Sequence, residues 1–191
     1  MPRFTETERE AIQAALLEEG EKLFSAHGIK KVTVDDLAEA ANISKGSFYA
    51  FYQNKEHLFM VINFRIQEHF FQVLKRELET HREMPPKELA GYVFKLLLTM
   101  AEGHPILSQI DKSTIHYIQR KLPSELFVQH TRDDVAMIEM LSEYGIVFTA
   151  DSTIVAKTLQ TIFGAANLLA GDQDNENIMD ILIGGVLALI K

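Results

Sequence analysis

Hydrophobic positions appear first at Ile12, Ala15, Leu16, Leu23 and Phe24, and their spacings of three, four and seven predict one amphipathic helix over Glu6–His27. Gly28 stops it, as a residue free to take the backbone of a helix C-terminus. Thr33 then precedes Val-Asp-Asp-Leu-Ala-Glu-Ala-Ala, so its hydroxyl can cap a second helix of about two turns whose first turn carries Asp35 and Asp36. Asn42 marks the end of that helix because it tolerates a left-handed backbone, and Ser44 caps a third helix over residues 45–51. Asn54 opens a long helix along Leu58, Val61, Ile62, Ile66, Phe70, Val73, Leu74 and Leu78. Met84-Pro85-Pro86 interrupts the pattern, and Pro86 begins a helix carrying Leu89, Val93, Leu96, Leu97 and Met100. Residues 106–122 read as less regular, followed by helices over 124–144, 151–170 and from about 175 onward. Residues 145–149 are β-like but have no evident partner, so the fold class is all-α.

The last two helices are apolar on more than one face. Leu159, Ile162, Ala166 and Leu169 form one line, while Ile154, Thr158, Thr161, Ala165 and Leu168 form a second uncharged stripe. Met179, Ile183, Val186 and Ile190 align on the final helix, with Ile178, Ile181, Leu182 and Leu189 elsewhere around it. A terminal helix of a small monomer should show a polar face. One face is therefore expected to pack on its own domain and the other on a second copy. The expected dimer interface is Leu159, Ile162, Ala166, Leu169, Ile183, Val186, Leu187 and Ile190. The plainer alternative is a core helix within a monomer.

Composition narrows the function classes. The 191 residues are 47% hydrophobic and 24% charged, the profile of a globular protein that can bury a core unaided. There is no cysteine, which removes disulfides, thiolate nucleophiles and Cys-ligated metals. The polar N-terminus carries no secretory signal pattern, and the apolar run from Ile178 to Ile190 is broken by Asp180 and too short to span a bilayer. The expected compartment is the cytoplasm, with no membrane partner. A net charge of −8 argues against coating nucleic acid non-specifically, so any such contact must be local. Residues 42–55 fit that requirement, holding Lys45 and Lys55 and no acid.

Two short helices joined by a three-residue turn, the second opening Ser-Lys-Gly, form the pattern of a helix-turn-helix. Gly46 lets backbone approach a phosphate or base edge, Lys45 adds a mobile cation, and Ser47 and Tyr49 carry hydroxyls able to reach bases or phosphates. A short helix pair with a polar turn is also common as plain structure in all-α proteins. The stretch Leu23-Phe24-x3-Gly28 followed by residues 33–59, TVDDLAEAANISKGSFYAFYQNKEHLF, resembles the DNA-binding domain of the TetR (tetracycline-repressor) family of bacterial transcriptional regulators. That resemblance covers about the first third of the chain. It implies a helix-turn-helix domain over 1–54 and an all-α effector-binding and dimerisation domain over 55–191. It also implies a homodimer whose last two helices pair into a four-helix bundle, and a double-stranded DNA operator as partner. Carried across, it makes Thr33, Ser44, Lys45, Gly46, Ser47, Tyr49, Tyr52 and Lys55 the DNA-binding set, with Leu37 and Phe48 in the small core. Three positions depart from the pattern. Asn42 stands where the family has a turn glycine. Phe51 and Tyr52 look inverted, leaving residue 51 without a phosphate-binding hydroxyl and raising the question whether Tyr52 supplies it. Gly20 replaces a common alanine, at a cost of about 1 kcal/mol unless another helix crosses closely there.

The expected function is a sequence-specific repressor released from a palindromic operator by a small, largely apolar effector. Candidate pocket residues are Phe64, Tyr92, Leu96, Met100, His116, Met137, Met140, Phe163 and Asn167, each of which also reads as ordinary core or surface. An enzyme is the first rival reading. The seven histidines form no HExxH pair, and there is no GxSxG, phosphate loop or GxGxxG, so no catalytic centre, cofactor or metal is expected. The second rival is a helical small-molecule-binding protein that has lost DNA binding. The joint presence of Lys45, Gly46, Tyr49 and Lys55 argues against it.

Overall fold

The computed structural model describes residues 4–123, 132, 134–169 and 171–191, with the side chain of Asn167 outside that set. Helices α1 (Glu6–His27), α2 (Val34–Ala40), α3 (Lys45–Phe48), α4 (Lys55–Thr80) and α5 (Pro86–Glu102) lead to a 3-10 turn at Pro105–Gln109 and α6 (Lys112–Gln119). Residues 134–140 form α7, followed by a 3-10 turn at Leu141–Tyr144, α8 (Ser152–Leu168) and α9 (Asn175–Leu187). The chain divides into two compact units, residues 1–66 with 106–123, and residues 67–105 with 124–191. The division falls within α4, beyond the expected boundary at residue 54, and residues 106–123 return to the first unit. Among the described residues no helix is long and apolar enough to cross a membrane.

In the first unit, polar caps set the helix starts. Thr5 and Glu8 close a capping box on α1, Thr33 and Asp36 another on α2, and Ser44 accepts the backbone N–H of Ser47 at α3. The backbone N–H of Thr33 holds the Asp36 carboxyl below the usual carboxylate range, and that of Thr5 does the same for Glu8. Asn54 accepts the N–H of His57 at the start of α4. Asn42 has φ +53, the left-handed turn conformation its side chain tolerates better than most. Leu16, Phe24, Leu37, Phe48 and Leu58 are fully buried, and Phe24 meets Phe59 edge-on at 5.3 Å. Gly20 has its reason here: a Cβ on it would stand 3.1 Å from both Leu58 and Ile62 of α4, so the close crossing needs the missing side chain.

The segment read as irregular folds onto this unit. Asp111 accepts the N–H of Thr114 at 2.6 Å and so caps α6. Ile106 and Ile118 are buried, Lys30 donates to the Ser113 hydroxyl at 2.8 Å, and the Tyr117 hydroxyl donates to the buried Glu56 carboxylate at 2.5 Å. Burial and that contact push the Tyr117 phenol up to about 12.

The second unit has one apolar core, built from α5, α8 and α9 with the end of α4 and the 138–146 region. Leu159, Ile162, Ala166, Ile183 and Val186 lie inside it, between 2% and 5% exposed, and Leu169, Leu187 and Ile190 pack against it. Of the expected dimer-interface residues, Leu159, Ile162, Ala166, Ile183 and Val186 thus face their own domain, while Leu169, Leu187 and Ile190 are half-buried. The stripe left outside carries Ile154, Thr158, Thr161 and Leu168 on α8 and Ile181 and Leu182 on α9, with Leu168 88% and Ile181 74% exposed. Both stripes are uncharged, and packing against α5 and the other elements of this core decides which is covered. Residues 145–149 also find a partner, contrary to expectation: the Thr149 N–H donates to the Leu189 carbonyl at 2.7 Å, and the Lys191 N–H to that of Val147 at 2.9 Å.

Candidate nucleic-acid interface

The site is assembled by α2, the turn at residues 41–44 and α3. Thr33, Ser44, Lys45, Gly46 and Tyr49 are exposed together on this unit, Tyr49 by 52%, and Ser47 is half-buried. Phe48 is fully buried beneath them and meets the Tyr49 ring edge-on at 5.6 Å, so the hydrophobic anchor and the exposed phenol are adjacent in sequence. The hydroxyls of Ser44 and Ser47 share a hydrogen bond of 2.9 Å. A Cβ on Gly46 would find only the Ser44 hydroxyl, at 3.8 Å, which leaves the backbone there open to approach. α3 is shorter than its sequence suggests, ending at Phe48, with residues 49–52 continuing as turns onto Ser47 and Phe48 carbonyls.

Two candidates are less exposed than these. Tyr52 is 4% exposed, its ring tilted against Phe48 at 5.9 Å and edge-on to His57 at 5.6 Å, and burial pushes its phenol pKa up. It is a core residue of the unit, and its hydroxyl does not compensate for Phe51. Lys55 is half-buried, its ammonium donating to the Val32 carbonyl at 2.6 Å and the Lys30 carbonyl at 3.4 Å, and burial pulls its pKa down. It ties the start of α4 to the loop before α2. Asp35, not singled out by the sequence, accepts from Lys45 at 2.7 Å, which raises the lysine pKa. Asp36 is occupied with capping, so its neighbour is free to reach α3.

The pocket candidates are divided between the two units. Phe64 and His116 belong to the first unit, and the others to the second. His116 is exposed beside Gln119 and Arg120 along an open recess of about 420 Å³. Tyr92 is 37% exposed and donates to Glu77 at 2.9 Å. Met100, Met137, Met140 and Phe163 are half-buried against the core of the second unit, and Leu96 is half-buried on α5. The Asn167 side chain lies outside the described residues. A second recess of about 450 Å³, lined by Leu23, His27, Lys31, Val32, Asp36, Glu39 and Ala40, involves none of these candidates. Among the described residues no cluster of His, Asp and Glu could hold a metal ion.

A capped two-helix unit with an exposed Lys-Gly pair opening its second helix over a buried aromatic defines a helix-turn-helix protein. Residues 16–62 match the model of the family described as bacterial regulatory proteins, tetR family. The chain is similar to the probable acrEF/envCD operon repressor of Escherichia coli (strain K12), 36% identical over 59 residues that cover 31% of this chain and 27% of that one. A TetR-family transcriptional regulator from Pectobacterium atrosepticum shares the fold with a TM-score of 0.63 and 19% identity over 98% of each chain. SmeT, the repressor of the Stenotrophomonas maltophilia multidrug efflux pump SmeDEF, does so at 0.66 and 20%, over 94% of this chain and 90% of that one. Residues 16–62 thus match the DNA-binding domain of the TetR family, and the chain as a whole shares the fold of these solved structures.

Proposed function

We propose that the chain is a sequence-specific DNA-binding repressor, acting in the cytoplasm as a homodimer on a palindromic operator and released from it by a small, largely apolar effector. The carrying observation is the joint exposure of Thr33, Ser44, Lys45, Gly46 and Tyr49 on one capped helix-turn-helix, with Ser47 beside them. In this reading Thr33 holds a phosphate, Lys45 exchanges Asp35 for DNA, and Gly46, Ser47 and Tyr49 meet the major groove. Residues 1–54 act as the DNA-binding domain and 55–191 as the effector and dimerisation domain. A single small module makes few contacts, so two copies on half-sites are required for useful affinity. The exposed stripe of Ile154, Thr158, Thr161, Leu168, Ile181 and Leu182 is the surface on which the second copy packs. Gly164, Gly184 and Gly185 have open space around them and permit close helix approach. For the effector, the support is the half-buried Met100, Met137, Met140 and Phe163 of the second unit, polarisable and adaptable side chains suited to an apolar guest.

The test is selection of bound duplexes from a random DNA pool, repeated with Lys45→Ala and Tyr49→Phe. A two-fold symmetric site bound by the unaltered protein and weakened in both variants is expected. No enrichment at low salt would favour the helical small-molecule-binding alternative. With the selected duplex in hand, reciprocity supplies the effector test: a compound that weakens DNA binding must itself bind more weakly to the DNA complex, by the same factor.

A further inference from the structure

Four cations of the helix-turn-helix unit are committed to polar partners. Lys45 is paired with Asp35 at 2.7 Å, Lys22 with Glu18 and Glu19 at 2.8 Å each, Lys30 with the Ser113 hydroxyl, and Lys55 with two backbone carbonyls. Arg9 is held differently. Its guanidinium lies 5.1 Å from the centre of the Phe51 ring, and the Phe4 ring is tilted against Phe51 with ring centres 6.0 Å apart. Among the described residues no carboxylate lies within ion-pair distance of Arg9. Phe51 follows the exposed Tyr49 by two residues and is pinned to the end of α3 by its N–H to the Phe48 carbonyl at 2.9 Å. The aromatic seat therefore stands at the C-terminal end of the recognition helix. A ring face orients a guanidinium without using its N–H donors, which project outward in a planar fork matched to a phosphate. Phe51 has no polar atom and the Tyr52 hydroxyl is buried, so the anion-binding capacity of this corner resides in Arg9.

We propose that Arg9, seated on Phe51, is a DNA-phosphate anchor that extends the contact surface of the helix-turn-helix from α3 onto α1. This rests on the DNA-binding reading above. Its energetic signature is that of a backbone contact: equal for all sequences, and dependent on salt.

Anisotropy titrations would use the duplex selected from the random pool and an unrelated duplex, each from 50 to 200 mM salt. Arg9→Ala is expected to weaken both by a similar factor, roughly tenfold, and to make the slope of log affinity against log salt shallower by about 0.9 for each subunit. Arg9→Lys keeps the charge and the slope while losing part of the affinity, because an ammonium is not oriented by the ring as a planar guanidinium is. Phe51→Ala weakens binding although Phe51 itself touches no phosphate, and adding Arg9→Ala to it costs less than Arg9→Ala alone. Thermal melting run in parallel separates folding from contact, and Arg9→Gln, which removes the charge but keeps a polar side chain, supplies the slope reading if Arg9→Ala melts early. An unchanged slope and affinity in Arg9→Ala beside a binding wild type would overturn the anchor and leave the DNA-binding reading intact. A wild type that binds neither duplex would overturn that reading first, and the anchor with it.

Discussion

The helix-turn-helix unit and the α8/α9 pair are both made of helices with apolar stripes, yet their specificity comes from opposite sources. In the first, side-chain caps at Thr5, Thr33 and Ser44, the left-handed Asn42 and the missing side chain of Gly20 each fix one backbone event. A polar residue at a helix end has a short menu of partners, so its position in the chain nearly dictates its role. In the second, the information is apolar area, which is non-directional. Leu159 and Leu168 are chemically alike, yet one is 5% and the other 88% exposed. Two uncharged stripes on one helix admit two packings, and the choice between them is made by neighbouring helices.

The sharpest way to break this comparison is to place one charge on each stripe. Ile183→Arg buries an unpaired guanidinium in the core of the second unit and is expected to cost more than about 4 kcal/mol, read as loss of a cooperative melt and aggregation. Leu168→Arg with Ile181→Arg places the same charge on the exposed stripe. Melting is expected to change little, while sedimentation velocity shifts from dimer to monomer and DNA binding falls. If the exposed-stripe variant stays dimeric, the second copy packs elsewhere.

On the polar side, Asn42→Val forces a β-branched residue to φ +53 and is expected to cost about 1–2 kcal/mol in denaturant unfolding. Asn42→Gly should be neutral within a few tenths. A destabilised glycine variant would mean that the Asn42 side chain, and not its backbone tolerance, holds the turn.

The smallest effect concerns acid. The Asp36 carboxylate, stabilised by the Thr33 N–H, has a folded pKa below the ordinary aspartate value, and Glu8, held by the Thr5 N–H, lies below the ordinary glutamate value. A depressed folded pKa means that the stabilisation is fully present above the unfolded value and is lost as pH falls through the folded one. Melting temperature should therefore decline on acidification below about pH 4. Asp36→Ala should flatten part of that decline, and an identical pH profile in the variant would show that other carboxylates carry it.

Much of the first unit was legible residue by residue. The bounds of α1, the Thr33 cap with Asp36, the Ser44 cap and the turn at Asn42 all follow from local chemistry and are present as read. Helix α6 carried a legible signal too, since Asp111 stands three residues before Thr114, but a cap without a long apolar period is easily passed over. What local chemistry could not reveal were the non-local pairings: Lys55 on the Val32 carbonyl, Asp35 on Lys45, Tyr117 on Glu56 and Arg9 on Phe51.

The inversion at Phe51 and Tyr52 shows the division clearly. The sequence by itself determined that an aromatic pair closes α3, that one hydroxyl is out of its usual place and that two apolar stripes run along each of the last two helices. These are properties of periodicity and of side-chain type, which each residue carries wherever it lies. Only the tertiary structure decided that Tyr52 turns inward against Phe48 and His57, that Phe51 seats Arg9, and which stripe of α8 and α9 stays bare. Burial and partnership belong to pairs of residues distant in the chain, and they exist only once the helices have packed.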